Sequence, residues 1–112
     1  MVKKRVNPIP PTLRGKKRYV SFEFLSDRDL RRNDVERAVW SAFSRVFGGK
    51  GIAEQRLWLA FWSENGNKGV LRCSHLEESN VKAGILFLKA VNDIPVVPVL
   101  GKVSGSISKL KA

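Results

Sequence analysis

Four basic side chains lie within five positions near the N-terminus: Arg14, Lys16, Lys17 and Arg18. A single face of a helix or strand cannot hold all four, whereas an extended chain can place them along a row of phosphates. Arginine makes two-pronged contacts with phosphate, and lysine supplies a compact charge. We therefore predict that this cluster binds a polyanion, with nucleic acid as the first candidate. Its contacts should determine binding affinity rather than which nucleotide sequence is bound. A solvated basic loop is the alternative.

Other basic residues lie close to the two ends of the chain. They are Lys3, Lys4, Arg5, Lys102, Lys109 and Lys111. Together with the first cluster they carry +10 of the formal net charge of +11, so the middle of the chain is nearly neutral. Charged ends on a neutral body are typical of a protein that wraps a polyanion. We add Lys3, Lys4, Arg5, Lys102 and Lys109 to the predicted RNA-binding residues, with anionic lipid or a plain solvated tail as alternatives.

Cysteine and histidine are scarce, with one residue of each in the chain. The single Cys73 excludes an intramolecular disulfide, and one histidine leaves too few ligands for a structural zinc site. Cys73 and His75 would share a face of a strand, but no third group orients His75, so we predict no catalytic residue and no metal site. No apolar run approaches the roughly 20 residues that span a bilayer. We expect a soluble cytoplasmic protein without a membrane partner.

The N-terminal 18 residues are predicted to form a basic arm. Three prolines within residues 8–11 exclude a helix there and favour an extended path. We predict one folded domain over residues 19–107 and a short basic tail over 108–112.

The predicted domain alternates strand and helix patterns. Residues 19–25 form a strand in which Val20, Phe22 and Phe24 share one face. The other predicted elements are a helix from Asn33, in a capping box with Glu36, to Gly48, strands over 56–63 and 70–74 around a turn over 65–69, a helix over 77–91 and an edge strand over 96–100. This order predicts an α+β ferredoxin-like sandwich of the kind seen in RNA-recognition domains. Its four-stranded antiparallel sheet would carry both helices on one face and leave the other open.

The third strand supplies one more basic residue. Arg72 alternates with Leu71 and Cys73, so it is expected on the open face, where it meets RNA or pairs with Glu23. Val, Leu and Cys follow Lys68-Gly69 where RNA-recognition domains carry base-stacking aromatics. We therefore do not predict base stacking on this strand.

Two other features are candidate contacts. Ser104 and Ser106 flank Gly105 and offer hydroxyls and backbone amides to an anion, although a flexible exit from the last strand explains them equally well. Trp58 and Trp62 are predicted to share one side of the second strand, both faces of which are apolar. We assign the two tryptophans to a protein interface, with base stacking as the alternative.

Several stretches together resemble one family. They are Pro-Pro-Thr-Leu-Arg-Gly-Lys-Lys-Arg-Tyr at 10–19, Ala-Val-Trp at 38–40, Gly-Val-Leu-Arg-Cys at 69–73 and Gly-Lys-Val-Ser-Gly-Ser-Ile at 101–107. In this order they resemble archaeal ribonuclease P protein component 2, from about residue 10 to residue 107. Two positions depart from the family pattern: Gly15 stands where an acidic residue is usual, and Ser106 where threonine is usual.

The resemblance implies a protein subunit of the ribonucleoprotein that removes the 5′ leader from precursor tRNA. In that enzyme the RNA and its magnesium ions perform the hydrolysis, and the protein binds no cofactor of its own. The implied partners are ribonuclease P RNA, precursor tRNA through the complex, protein component 3, and a second copy of the chain within a hetero-oligomer. Without the resemblance, the residues fit an RNA-binding assembly protein of another ribonucleoprotein, such as the ribosome, equally well.

Overall fold

The computed structural model describes residues 16–110, so Lys3, Lys4, Arg5 and Arg14 lie outside the described residues. The elements are β1 (Lys17–Leu25), α1 (Arg32–Gln55), β2 (Trp58–Ser63), β3 (Lys68–Ser74), α2 (Glu78–Leu86), β4 (Ala90–Val91), β5 (Ile94–Pro95) and β6 (Val97–Ser104). Short 3₁₀ turns at His75–Glu77 and Ile107–Lys109 precede α2 and follow β6. Within the described residues, no helix is both long and apolar enough to cross a bilayer.

The main sheet has four strands in the order β2-β3-β1-β6, and each neighbouring pair is antiparallel. The predicted ferredoxin-like fold is confirmed, with a small β4–β5 hairpin added before the last strand. Apolar residues of the sheet and the two helices form one core between them. Its members include Val20, Phe22, Phe24, Val35, Val39, Phe43, Leu71, Val81 and Ile85. The helices therefore cover one face of the sheet.

The start of the first strand and the end of the last strand both differ from the prediction. β1 begins at Lys17 rather than at Tyr19, because Lys17 already pairs with Ser74 at the end of β3. β6 continues to Ser104, beyond the predicted end at Leu100. The predicted edge position of this last strand is confirmed. The two basic residues before Tyr19 thus belong to the sheet.

The first helix begins before the predicted capping box. Arg31 is the extended residue at its start, and the amide of Val35 donates to the Arg31 carbonyl at 3.0 Å. Asn33 lies inside the first turn, so its predicted capping role is wrong. The Glu36 carboxylate instead accepts a hydrogen bond from Arg32 at 3.3 Å.

The predicted break of the first helix at Gly48 is confirmed, and the helical segment that follows it was not predicted. Gly48 has φ 74° and ψ 174°, which breaks the helical path, yet a further helical segment continues to Gln55. Ile52 of this segment is buried in the core, which supplies the reason for the continuation. The helix ends at Arg56, which adopts the left-handed conformation.

β2 contains an irregularity that its alternating sequence pattern does not reveal. Pairing with β3 shifts register between Leu59 and Phe61, so an extra residue interrupts the alternation. Leu59 and Trp62 are both buried, whereas Trp58 is 57% exposed. The prediction that Trp58 and Trp62 share one side is therefore wrong: the irregularity turns Trp62 into the core.

The predicted turn between β2 and β3 is confirmed. Its residue Asn67 is hydrogen-bonded to the loop between β1 and α1. Asn67 has φ 55° and is buried. Its Oδ1 accepts from the amide of Leu30 at 2.8 Å, and its Nδ2 donates to the carbonyl of Arg28 at 2.8 Å. These bonds satisfy buried polar groups of both segments.

The second helix is shorter than predicted and ends at Leu86. Its predicted apolar stripe of Val81, Ile85 and Leu88 is buried as expected, although Leu88 lies beyond the helix. The chain then turns through the β4–β5 hairpin, where Asn92 and Asp93 both have positive φ. Asparagine and aspartate tolerate that conformation, which suits them to the two-residue turn of this hairpin.

Candidate nucleic-acid interface

Four basic residues surround a small cleft at one end of the sheet. A cavity of about 130 Å³ is lined by Lys16, Lys17, Arg56 and Arg72, together with Cys73 and Ser74. We call Lys16, Lys17, Arg56 and Arg72 the basic cleft. Positive side chains around one concavity attract an anion from several sides, and phosphate suits both arginine and lysine donors.

Strand pairing explains why these four residues meet. Lys17 lies opposite Ser74, so the start of β1 adjoins the end of β3. Trp58 lies opposite Arg72, so the start of β2 adjoins the same place. Arg56 immediately precedes β2. Arg56 and Arg72, which are 39 or more positions from Lys16 and Lys17 in the sequence, therefore reach the same cleft.

Arg72 has no acidic neighbour in the sheet. It pairs in register with Tyr19, whereas Glu23 lies opposite Lys68, four residues further along β1. Among residues 16–110, no carboxylate lies within 4.0 Å of the Arg72 guanidinium. The alternative of an ion pair between Arg72 and Glu23 is therefore wrong. The Arg72 charge is available to an external anion.

Arg18 is separated from Lys16 and Lys17, the other described residues of the predicted cluster. It pairs in register with Cys73, whose side chain belongs to the core, so Arg18 lies on the helix side of the sheet. Its Nε is 4.0 Å from Oε1 of Glu78, and its Nη1 donates to the Lys17 carbonyl at 3.1 Å. Such exposed ion pairs are weak, about 0–1 kcal/mol, so Arg18 can still exchange this partner for a phosphate.

The predicted residues near the C-terminus form a local turn. Ser104 Oγ accepts from the amide of Ser106 at 3.1 Å, and Ser106 Oγ lies 2.9 Å from Ser108 Oγ. Two of the predicted hydroxyls are therefore engaged with their neighbours. Lys102 is exposed on β6, away from the basic cleft, and the side chain of Lys109 lies outside the description. Their role in RNA binding stays a prediction.

The sheet face opposite the helices is partly covered. Val70 is buried on this face, outside the main core, and lines a cavity of about 520 Å³ together with Phe61 and Leu110. The C-terminal Leu110 thus lies over the middle of a face that was expected to be open. The end of the face beside the basic cleft remains accessible, because Trp58 there is 57% exposed.

The strand face that Cys73 and His75 were expected to share ends before His75. β3 ends at Ser74, and His75 begins a 3₁₀ turn, so the two side chains no longer alternate on one strand. Burial, reinforced by the nearby Glu78 and Glu77 carboxylates, raises the pKa of the Cys73 thiol to about 11 despite the opposing charge of Arg18. A thiol with a raised pKa is a poor nucleophile near neutral pH.

Arg56 was not among the residues predicted from the sequence. A lone arginine between a helix and a strand gives no local signal of a site. The predicted β2–β3 hairpin does give a signal, because antiparallel pairing around the turn brings the beginning of β2 beside Arg72 near the end of β3. The register of that hairpin would have placed Arg56 near the cleft.

A family model described as the Rpp14/Pop5 family matches residues 18–112 of the chain. The chain belongs to the Rpp14/Pop5 family. Rpp14/Pop5 relatives named ribonuclease P protein component 2 include those of Pyrococcus furiosus and Methanocaldococcus jannaschii. The first is 36% identical, with 96% of this chain and 89% of the relative covered. The second is 33% identical, with 92% and 75% covered.

A solved structure shares the Rpp14/Pop5 chain's fold. A chain in the cryo-EM structure of yeast ribonuclease MRP superposes with a TM-score of 0.65 at 13% sequence identity, covering 82% of this chain and 76% of that one. The predicted resemblance to archaeal ribonuclease P protein component 2 is confirmed, and with it the prediction of a ribonuclease P protein subunit. As an Rpp14/Pop5 protein, the chain is a subunit of an endoribonuclease complex.

Proposed function

We propose that this subunit binds the catalytic RNA of ribonuclease P and thereby assists removal of the 5′ leader from precursor tRNA. The observation that carries the proposal is the basic cleft, in which Lys16, Lys17, Arg56 and Arg72 surround one cavity. Phosphate contacts position a protein on RNA without selecting a sequence. Such binding suits a subunit that stabilises one fold of a large RNA.

In this proposal the RNA and its magnesium ions perform the hydrolysis. The protein contributes positive charge that lowers repulsion between phosphates of the RNA and of precursor tRNA. It takes no catalytic residue and no cofactor of its own. We place the complex in the cytoplasm.

The proposed protein partner is ribonuclease P protein component 3. Exposed apolar side chains on the helix layer support a protein contact there. Trp40 of α1 is 52% exposed in a groove lined also by Val39, Leu57 and Leu59, and Phe87 after α2 is 59% exposed. Within the hetero-oligomer a second copy of the chain is the other proposed contact.

Reconstituted cleavage tests the proposal. Precursor tRNA would be incubated with an archaeal ribonuclease P RNA at limiting magnesium, with component 3, and with or without this protein. We expect the protein to raise the cleavage rate only when the RNA is present, because the RNA performs the chemistry. Cleavage by the protein alone would contradict the proposal. Absence of stimulation with a competent RNA and partner would favour an assembly protein of another ribonucleoprotein.

A further inference from the structure

Three side chains form a row across the accessible end of the sheet. Trp58 on β2 lies opposite Arg72 on β3, and Arg72 lies opposite Tyr19 on β1. Residues paired in register on antiparallel strands project from the same face. Their chain neighbours Leu59, Leu71 and Val20 all belong to the core, so alternation turns the row away from the helices.

The row places an arginine between two aromatic residues. Neighbouring strands lie about 4.8 Å apart, so Trp58 and Tyr19 are separated by roughly 10 Å with Arg72 between them. Trp58 is 57% exposed, and Tyr19 is half-buried. An exposed indole presents a π-face to which any nucleobase can stack, and a guanidinium can hold the phosphate beside that base.

The row is continuous with the basic cleft, because Arg72 belongs to both. An RNA strand whose phosphates lie in the cleft therefore passes directly beside Trp58. Proteins that bind single-stranded nucleic acid combine these two features: a positive groove for the backbone and aromatic side chains for the bases. Paired bases are stacked on one another and do not offer their faces.

We propose that Trp58, Arg72 and Tyr19 form a stacking platform for a single-stranded segment of RNA. One base stacks on the Trp58 indole, Tyr19 supports a neighbouring nucleotide, and Arg72 with the two lysines of the cleft binds the intervening phosphates. This inference rests on the proposed function and specifies the RNA that the cleft accepts: an unpaired loop, bulge or end rather than a duplex.

Trp58 also borders the apolar groove that contains Trp40. A protein interface was the sequence-based assignment of Trp58 and Trp62, because both faces of their strand are apolar. Trp62 is buried, so of the two only Trp58 is accessible to a partner. The charge of Arg72 next to Trp58 favours a polyanion, and RNA is therefore the occupant we assign.

Binding of a fluorescein-labelled oligouridylate about 12 nucleotides long, a length within the usual range of such sites, tests the platform. Anisotropy titrations at several salt concentrations would compare the full-length wild type with Trp58→Ala, Trp58→Phe and Arg72→Ala. Trp40→Ala is the matched control, because Trp40 is similarly exposed at 52% but lies on the helix layer. Thermal unfolding would verify that each variant is folded.

We expect Trp58→Ala to weaken binding about 5- to 150-fold without changing the salt dependence, because stacking involves no released counterion. Trp58→Phe should retain most of the affinity, and Trp40→Ala all of it. Arg72→Ala should lower the slope of log affinity against log salt by about one. Blunt RNA duplex should bind equally well to wild type and Trp58→Ala.

Each other result overturns the platform. If wild type binds the oligouridylate and Trp58→Ala binds it equally well, the platform is wrong while the proposed function stands. If Trp58→Ala keeps its RNA affinity but no longer associates with component 3, Trp58 belongs to a protein interface. If wild type binds neither the oligouridylate nor ribonuclease P RNA, the proposed function fails, and the platform with it.

Discussion

The indole nitrogen of Trp62 donates a hydrogen bond to the carbonyl of Leu30 at 2.8 Å. Leu30 is itself buried, and its amide donates to the Asn67 side chain. The two bonds tie the loop that leads into α1 to the β2–β3 hairpin. Trp62 is therefore a structural residue of the core, with ring contacts to Phe22 and Phe24.

Replacing Trp62 by alanine should lower the free energy of unfolding by about 3–5 kcal/mol, the usual cost of removing a large buried aromatic. Trp62→Phe should cost about 1–3 kcal/mol, because it leaves the buried Leu30 carbonyl without its donor. Urea denaturation followed by circular dichroism measures both. Trp40→Ala is the control and should change the value by less than about 0.5 kcal/mol. Equal effects at Trp62 and Trp40 would contradict the burial of Trp62.

Gly84 of α2 packs against the Phe43 ring of α1. This close helix–helix contact leaves no room for a side chain at position 84. A Cβ added at Gly84 would lie 2.5 Å from Cζ of Phe43. Gly84→Ala should therefore destabilise the protein by about 1–3 kcal/mol, although alanine has the higher helix propensity.

Gly49 offers the matched control in α1, since an added Cβ there meets no atom within 4 Å. Gly49→Ala should stabilise the protein by up to about 1 kcal/mol. Urea denaturation of both variants measures the difference. A Gly84→Ala protein as stable as wild type would show that Phe43 does not lie against this helix.

Cys73 should react slowly with alkylating reagents in the folded protein. Its pKa of about 11, two units above the ordinary value of 9.0, lowers the thiolate fraction at pH 8 about 100-fold. Because the folded-state pKa is the higher one, the native thiol's contribution to stability is complete below pH 9 and declines as pH rises toward 11.

Iodoacetamide labelling followed by mass spectrometry measures the reactivity of Cys73. The native rate should continue to rise up to pH 11, whereas the rate in urea should level off above about pH 10, one unit beyond the ordinary thiol pKa. A native rate equal to that of the unfolded chain at pH 8 would contradict the buried thiol.

Periodic patterns allowed most of the fold to be predicted. The alternation of Val20, Phe22 and Phe24 corresponds directly to burial in β1, and the stripe of Val81, Ile85 and Leu88 does so around α2. The prediction failed where one residue changes the geometry without altering the pattern. The irregularity between Leu59 and Phe61 leaves the apolar run intact, and the helical segment after Gly48 was missed because tertiary burial of Ile52 accounts for it.

The candidate site was predicted in part. Lys16, Lys17 and Arg72 were identified from charge and alternation, and the structure brings them to one cleft. Arg56 was missed, and Arg18 was grouped with residues from which strand alternation separates it. Convergence of this kind depends on how the strands pair, which local sequence does not encode.

The most direct test of the central claim is the salt dependence of binding to ribonuclease P RNA. The cleft variant is Lys16→Ala/Lys17→Ala/Arg72→Ala. Its control removes the same charge from three exposed residues elsewhere, as Arg45→Ala/Lys50→Ala/Lys89→Ala. Filter binding at several salt concentrations would give the slope of log affinity against log salt for each variant, with thermal unfolding to verify folding.

We expect the cleft variant to lose affinity and its slope to fall by up to about three, one for each phosphate contact removed. The control variant should keep nearly the wild-type slope, because its charges lie away from the cleft. Equal slopes for the cleft and control variants would contradict the account, since net charge rather than the basic cleft would then determine RNA binding.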